Sequence, residues 1–308
     1  MKQKILIVVA GATAIGKTNL SLKLAKEFDT EIISCDSRQF YKEMKIGTAV
    51  PTEAELKEVR HHFIQSRSIF DDYNVGDFEA EAISLLHQHF QQKNWMVMVG
   101  GSGLYSDAVT DGLDEFPKVD PAIREELKAD LKDKGIVHLQ HKLLELDPLS
   151  HERIDLHNKQ RLIRALEICI GADHPFSYYW RAHKKERDFQ TIKIGLEADR
   201  NIIYDRINKR VDQMMAAGLL EEARSLYPYR DLNALQTVGY RELFGYFDGL
   251  MTIEEAVSEI KKNTRRFAKR QGTWYRKDPN IRWFDYQAKT EEIISFVKTQ
   301  SKQLNFRA

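Results

Sequence analysis

The segment GATAIGKT, residues 11–18, follows an apolar run and has glycines, a lysine and a threonine at the spacing of a phosphate-binding loop. In such a loop, backbone N–H groups point at phosphate oxygens, and the helix that follows adds the positive end of its dipole. Lys17 would neutralise phosphate charge, and the Thr18 hydroxyl would ligate Mg²⁺. The segment therefore predicts phosphate binding, but it does not indicate what the phosphate is attached to.

Asp36, in the segment ISCDSRQFY (33–41), is a second residue that could do chemistry. In kinases and NTPases an acid at the end of another apolar strand helps to hold Mg²⁺. Here the strand-like segment 95–99 runs into GGSGLY (100–105), which has no acid. Asp36 would hold Mg²⁺ through water, act as a general base, or cap a helix that starts at DSRQ. The residues alone leave these three roles open.

The segment KKNTRRFAKRQGTWYRK, residues 261–277, contains eight basic residues and no acidic one. Spacings of three and four predict a helix on which Ile260, Phe267 and Trp274 face the core and the basic side chains cover the flanks. Because acids are absent, the segment does not have the composition of a salt-bridged surface. A solvated basic face without a ligand remains the alternative. Such a patch is typical of proteins that bind nucleic acid or diphosphate.

Two further arginines, Arg206 and Arg210, are four residues apart on a predicted helix. They would either clamp an anion or pair with Asp205 and Asp212. The pairing is the commoner arrangement on helices.

These residues require a scaffold of alternating strands and helices. Apolar runs predict strands at 4–10, 31–35, 95–99 and 191–198, and helical periodicity predicts helices at 17–28 and 78–93. The alternation predicts a P-loop-type α/β fold, a mostly parallel sheet flanked by helices. A polar, proline-containing stretch at 111–121 precedes an all-helical region, and everything after Asn201 reads as helical. We therefore predict a catalytic core of residues 1–114 and 189–308, and an all-helical insertion domain of residues 115–188.

Composition excludes several classes of protein. The 308 residues are 42% hydrophobic and 30% charged, which suits one large core or two smaller ones. The net charge of +1 means that a polyanion would have to meet a local patch. Two cysteines are too few for a disulfide framework, and the adjacent His61 and His62 lack further zinc ligands, so a loop or core role is expected for them. No run reaches the roughly 20 apolar residues that span a membrane. We expect a cytoplasmic protein.

Several motifs together resemble the tRNA dimethylallyltransferases, also called tRNA isopentenyltransferases, of bacterial type. The resemblance runs nearly end to end. The motifs that carry it are GATAIGKT, ISCDSRQFYKEMKIGTAVP (33–51), VGGSGLY (99–105), QRLIRALE (160–167), GLLEEARSL (218–226), TVGYREL (237–243) and AKRQGTWYR (268–276). Phosphate loops are common, but the second and last of these motifs in one chain are specific.

The resemblance implies transfer of the dimethylallyl group from dimethylallyl diphosphate to the exocyclic N6 of the adenosine 3′ of the anticodon in certain tRNAs, with Mg²⁺ present. The loop would then hold the diphosphate leaving group, and Asp36 would take a proton from N6. The implied catalytic residues are Asp36, Thr13, Ser102 and Arg210. The implied phosphate-binding residues are Gly11, Ala12, Thr13, Ala14, Ile15, Gly16, Lys17, Thr18 (through Mg²⁺) and Arg265. The implied tRNA-binding residues are Asp36, Ser37, Arg38, Gln39, Ser102, Arg124, Gln160, Arg161, Leu162, Ile163, Arg164, Gln236, Thr237, Val238, Gly239, Tyr240 and Arg241.

The same resemblance implies that the insertion grips the anticodon stem-loop, and we expect a monomer with tRNA and dimethylallyl diphosphate as partners and no membrane. The sequence departs from the family pattern at residues 156–159, which replace a Pro-Asn-Asp-Pro turn, at Ser102, usually Thr, and at Gly272, usually larger. Two other functions are open from the residues. One is an ATP-dependent kinase of a small molecule or nucleoside. The other is a nucleotide-regulated RNA-binding module in which Asp36 is only a cap.

Overall fold

A six-stranded parallel sheet forms the centre of the protein in the computed structural model, which describes residues 3–180 and 185–305. Its strand order is β3-β2-β4-β1-β5-β6. The strands are β1 (Ile5–Gly11), β2 (Ile32–Ser34), β3 (His61–His62), β4 (Trp95–Val99), β5 (Gln190–Glu197) and β6 (Arg282–Asp285). Helices flank this sheet, and the predicted fold class is confirmed.

The helices cover most of the remaining chain. They are α1 (Lys17–Glu27), α2 (Glu53–Glu58), α3 (Val75–His89), α4 (Gly103–Thr110), α5 (Pro121–Asp133), α6 (Gly135–Leu146), α7 (Pro148–Arg153), α8 (Lys159–Gly171), α9 (Arg200–Ala216), α10 (Leu219–Leu226), α11 (Tyr240–Phe247), α12 (Ile253–Tyr275) and α13 (Thr290–Asn305). None of the helices in the described ranges is long and apolar enough to cross a membrane.

The chain divides into two compact units, one of residues 1–111 and 186–308 and one of residues 112–185. These bounds lie three residues before the predicted ones. The first unit contains the whole sheet, and the second contains α5 to α8.

The sheet of the first unit is covered on both faces. Every residue of β1 is buried, as its unbroken apolar run ILIVVAG requires of a central parallel strand. Ile5, Ile7 and Val9 pack on the side of α1 and α13, whereas Leu6 and Val8 pack on the side of α3. This alternation follows from the period of two along a strand. Burial on both sides fixes the position of the loop that leaves β1.

Two short strands differ from the sequence prediction. Residues 282–285 form β6 within the region predicted to be helical, and His61 with His62, for which a loop or core role was expected, forms β3. Each is an edge strand that pairs with one neighbour, β6 with β5 and β3 with β2. Strands of two and four residues carry too little alternation to be read from sequence. Both histidines are half-buried, and their rings contact separate partners, the Val59 carbonyl and the Glu31 carboxylate.

The second unit is a small helical unit with its own core, to which Leu127, Leu143 and Leu166 contribute. Its last helix begins within the segment that departs from the family turn. The Asn158 side chain accepts a hydrogen bond from the Arg161 backbone N–H at 3.1 Å, so it caps α8. The replaced turn therefore still starts a capped helix.

Candidate active site

Three loops meet at the carboxyl edge of the sheet, where open α/β folds bind ligands. The phosphate loop, residues 11–18, follows β1. Asp36 follows β2, and residues 100–102 follow β4. Since β2, β4 and β1 are neighbours in the sheet, these three loops lie side by side.

Two glycines give the phosphate loop its shape. Gly11 has φ +137°, and a Cβ there would lie 2.7 Å from the Leu196 carbonyl oxygen of β5. Gly16 has φ +113° and is the N-cap of α1. Both positions favour glycine because L side chains rarely adopt these conformations. The loop can therefore turn its backbone toward a ligand directly before the start of a helix.

Lys17 is held inside this loop. Its Nζ donates hydrogen bonds to the carbonyls of Gly11, at 3.0 Å, and Ala12, at 2.7 Å. The pKa of Lys17 is lowered to about 8; burial is the main cause, the Asp36 carboxylate opposes the shift, and the Arg210 guanidinium adds to it. The side chain is thus a partly desolvated cation, to which an anionic ligand would restore full charge.

Arg206 and Arg210 of α9 both face the phosphate loop. Arg206 donates from Nε to a carbonyl of the loop at 2.7 Å, and Arg210 Nη1 lies 3.5 Å from the Thr13 hydroxyl. Asp205 and Asp212 pair instead with lysines. Burial lowers the pKa of Arg210, an effect that Asp36 partly opposes. Of the two arrangements open from sequence, the structure therefore lacks the pairing with Asp205 and Asp212, and both arginines contact the phosphate loop.

Asp36 does not cap a helix. Its Oδ1 accepts the Arg38 backbone N–H at 3.1 Å, within a turn. Its Oδ2 lies close to Gly101, where an added Cβ would approach it to 3.2 Å. One carboxylate oxygen therefore fixes the turn, and the other lies beside the loop that follows β4.

Two cavities adjoin at this edge. The phosphate-loop cavity, about 1060 Å³, is lined by Thr13 to Thr18, Asp36 and Arg210 among others. The adjoining cavity, about 580 Å³, is lined by a second set of residues. Five residues line both: Thr13, Asp36, Thr48, Gly101 and Arg210. A group bound in one cavity would therefore meet a group bound in the other at these side chains.

The comparisons with known proteins identify the family of the chain. The sequence model of the family described as IPP transferase matches residues 39–278. The chain belongs to this family. It is 59% identical to the tRNA dimethylallyltransferase of Christiangramia forsetii over 96% of this chain and 98% of the relative. It is 55% identical to the enzyme of the same name from Flavobacterium psychrophilum over 96% of this chain and 99% of the relative. The solved tRNA isopentenylpyrophosphate transferase of Bacillus halodurans superposes with a TM-score of 0.71 at 38% identity, covering 98% of both chains. The family expected from sequence is confirmed.

Most of the residues that the family resemblance assigns to tRNA in the first unit line the adjoining cavity. They are Asp36, Ser37, Arg38, Ser102, Gln236, Thr237, Val238, Gly239 and Arg241. The Ser102 hydroxyl, which replaces the usual threonine, accepts the Ser37 backbone N–H at 3.1 Å and donates to the Ser37 hydroxyl. The smaller alcohol therefore still joins the loops after β4 and β2.

Phe267 and Trp274 lie on the wall of the adjoining cavity, so their predicted place in the core is wrong. They are 37% and 42% exposed, and the Trp274 indole N–H donates to Asp107 at 2.7 Å. The buried face of α12 is formed by other residues, which are Ala256, Ile260, Ala268, Gln271 and Tyr275. Apolar spacing assigned the two aromatic rings to the core, whereas the face that packs includes two alanines and the amide of Gln271 beside Ile260 and Tyr275.

Three residues of the expected family set lie elsewhere in this member. Arg265 donates to Asn208 at 2.7 Å and lines neither of the two cavities. Gln39 lines the phosphate-loop cavity instead of the adjoining one, and its amide donates to the carbonyls of residues 48 and 49. Tyr240 is fully buried, and its hydroxyl donates to Glu222 at 2.7 Å. In this conformation the Tyr240 side chain packs the core and cannot touch a bound RNA.

The expected tRNA residues of the second unit separate by helix face. Leu162 and Ile163 are buried in the unit's core, so their side chains pack and do not face RNA, contrary to the prediction. Arg161 is exposed. This division follows from the amphipathic period of α8.

Arg124 and Arg164 converge on one buried acid of the second unit. Their Nη1 atoms lie 3.4 Å and 3.6 Å from Oε2 of Glu167, a residue that is 4% exposed. Within the described ranges this Oε2 atom has no hydrogen-bond partner. Arg124 also approaches Gln160 Oε1 at 3.4 Å. Two of the expected tRNA residues therefore share a single carboxylate.

Two residues of the site were not predicted as such. Gln271 is buried and bonds to Thr13 and Gly101, which line both cavities, and sequence reasoning assigned it no role. For Arg206, the sequence left open whether it binds an anion or pairs with an acid on its own helix. The single glutamine of the basic segment 261–277 was a signal for the first, because a buried glutamine needs partners for both ends of its amide.

Residues for a divalent cation are present at the phosphate loop. The described part of the chain contains no group of three or more His, Cys, Asp and Glu residues that would hold a metal alone. Thr18 and Asp36, however, both line the phosphate-loop cavity. A hydroxyl and a carboxylate suit Mg²⁺, which usually takes one or two protein oxygens together with substrate phosphates and water.

Proposed function

We propose that this chain transfers the dimethylallyl group from dimethylallyl diphosphate to N6 of the adenosine 3′ of the anticodon in certain tRNAs, and releases diphosphate. The single observation that carries the proposal is the junction at which Thr13, Asp36 and Arg210 line both cavities. A phosphate loop on one side of the junction and a carboxylate at the junction suit an allylic diphosphate, whose reaction needs a site for the leaving group and a proton acceptor for the amine. The relatives bear the name of this activity.

In the proposed reaction the bond between the allylic carbon and the diphosphate oxygen breaks, and a bond from adenine N6 to that carbon forms. The loop N–H groups, Lys17 and the Arg210 guanidinium stabilise the negative charge that grows on the leaving diphosphate. The Thr13 hydroxyl, 3.5 Å from Arg210, extends this set of donors toward the junction. The Asp36 carboxylate accepts the proton that N6 loses.

Mg²⁺ is proposed as the cofactor, held by the Thr18 hydroxyl. When bound it would neutralise diphosphate charge. Lys17 and Arg210 remain the protein's own share of that neutralisation.

The target adenine must leave the stack of its RNA to reach the junction. The adjoining cavity offers Phe267 and Trp274 as surfaces for stacking, and Arg241 and Arg270 as cations at its wall. RNA-binding proteins commonly recognise splayed bases in this way. We therefore propose that the adjoining cavity receives the adenine and its neighbours in the anticodon loop.

The second unit is proposed to grip the anticodon stem-loop. Arg124, Arg161 and Arg164 would supply cations for phosphates, with Gln160 beside Arg124. We propose that the protein acts as a monomer, and a tRNA substrate supports action in the cytoplasm.

The test is to incubate the protein with unmodified tRNA, Mg²⁺ and radiolabelled dimethylallyl diphosphate. Label should enter the tRNA and, after digestion, co-migrate with N6-dimethylallyl adenosine. Asp36→Asn removes the base but keeps an oxygen for the Arg38 N–H, so it should lower the transfer rate by about 10²- to 10⁴-fold while diphosphate still binds. Asp72→Asn, at an exposed position, is the matched control and should transfer label as the wild type does.

No label in tRNA from the wild-type protein would refute the proposal. Phosphorylation of a nucleoside from ATP would instead support a kinase. Binding of tRNA without turnover under all conditions would support an RNA-binding module.

A further inference from the structure

Gln271 of α12 is a long polar side chain that is only 5% exposed. Both ends of its amide are paired. Its Oε1 accepts the Thr13 backbone N–H at 2.8 Å, and its Nε2 donates to the Gly101 carbonyl at 2.9 Å. A buried amide is costly unless both ends are bonded, so this side chain is held in one orientation.

The two partners of Gln271 belong to different loops. Thr13 lies in the phosphate loop that follows β1, and Gly101 lies in the loop that follows β4. The backbone pairing of β1 with β4 ends at Val9 and Val99. Beyond this point no backbone pairing of these strands continues in the described part of the chain, and the amide of Gln271 joins the two loops through its two hydrogen bonds.

Each loop brings one side of the proposed reaction to the junction. The Thr13 hydroxyl lies beside Arg210, on the side of the leaving group. Gly101 lies against Asp36, on the side of the proton acceptor. A Cβ on Gly101 would approach Gln271 Nε2 to 2.3 Å, so glycine is required there for the bridge to close.

We propose that Gln271 is a positioning residue that sets the separation between Thr13 and Asp36, and thereby the distance from leaving group to base. The inference rests on the proposed function and assigns Gln271 no contact with substrate. A shift of about 1 Å in reacting groups lowers rates by about 100-fold. The loss of one bond of the bridge should therefore lower kcat more than it raises KM.

Gln271→Glu tests the bridge because its two protonation states differ at one atom. A protonated glutamic acid can accept from the Thr13 N–H and donate to the Gly101 carbonyl, as glutamine does. When the substituted side chain is ionised it has no donor, so two acceptor oxygens would face each other and the bond to the Gly101 carbonyl would be lost. We expect kcat to be lowered about 10- to 100-fold at pH 8 and to recover toward the wild-type value at pH 6, each rate being compared with that of the wild type at the same pH.

Gln271→Met keeps the length of the side chain but removes both bonds, so it should lower kcat at both pH values without recovery. Gln303→Glu, on the exposed face of α13, is the matched control and should follow the wild type. Thermal denaturation of each variant, at both pH values, separates loss of fold from loss of position. A kcat of Gln271→Glu within twofold of the wild type at pH 8, or an equal loss at pH 8 and pH 6, would overturn the inference.

A second measurement needs no prenyl transfer. The affinity of the protein for inorganic diphosphate should be lowered in Gln271→Glu at pH 8 and restored at pH 6, because the bridge holds the phosphate loop. An unchanged affinity at pH 8 would overturn the inference even if the enzyme is active. A wild-type protein that binds diphosphate but transfers no label would refute the proposed function alone.

Discussion

Binding of dimethylallyl diphosphate should be accompanied by uptake of a proton by Lys17 at alkaline pH. In the ligand-free site, burial lowers the pKa of Lys17 to about 8. The diphosphate would bring negative charge next to Nζ, and a nearby opposite charge raises the pKa of an amine. The ligand should therefore bind to the protonated form and draw a proton from solution wherever the free lysine has lost one.

The size of this uptake follows from the pKa. At pH 8.5 a lysine of pKa about 8 is protonated in about a quarter of the molecules, so a fully protonated complex takes up about three quarters of a proton. At pH 6.5 the free lysine is already almost fully protonated, and the uptake should be below about 0.1 proton. With an ordinary lysine pKa of 10.4, uptake at pH 8.5 would be nearly absent.

Calorimetry in two buffers with different heats of ionisation measures the number of protons directly, and no tRNA is needed, so the ligand is not consumed. Lys17→Met should abolish the pH-dependent part of the uptake and weaken binding. Lys23→Met, at an exposed position on the same helix, should leave the uptake unchanged. Equal uptake at pH 6.5 and pH 8.5, or uptake that persists in Lys17→Met, would refute this reasoning.

Three further outcomes are expected. Arg210→Gln should lower the single-turnover rate by about 10²- to 10³-fold with little change in tRNA affinity; a rate near that of the wild type would exclude a role at the leaving group. Trp274→Ala should weaken tRNA binding by about 1–3 kcal/mol in a filter-binding titration, and Trp274→Phe, which keeps a stacking ring but loses the bond to Asp107, should weaken it less. If both substitutions have equal effects, the indole N–H matters and stacking does not. Glu167→Gln should make the slope of log affinity against log salt more negative by about one to two. The reason is that Arg124 and Arg164 lose their shared carboxylate and become free to pair with phosphates. Tighter binding with an unchanged slope would show that Glu167 only repels RNA.

Sequence reasoning located the phosphate loop and Asp36 because chemistry fixes those residue types and their spacing. A loop that wraps a phosphate needs glycine at positions 11 and 16, and the apolar run before it has to be a buried strand. The position of Asp36 beside that loop required only the order of parallel strands. Such features depend on local sequence and on one rule of topology, so they were readable.

The orientation of α12 was not readable in the same way. Its pattern of apolar residues placed Phe267 and Trp274 inward, whereas the helix buries Gln271 and exposes both rings to a cavity. Which face is buried depends on the loops after β1 and β4, which are distant in sequence. A polar contact between Gln271 and Thr13 spans 258 residues and leaves no periodic signal.

The charges of the site indicate why its residues are arranged at the expense of stability. Lys17 has a folded-state pKa of about 8, below its value in an unfolded chain. The unfolded state therefore binds more protons between pH 8 and the unfolded pKa, and the contribution of Lys17 to stability rises with pH across that window. Below pH 8 a charged lysine stays half-buried beside Arg210, and Asp36 opposes only part of the cost. A diphosphate removes the same cost on binding, so the groups that destabilise the free site are those that favour its ligand.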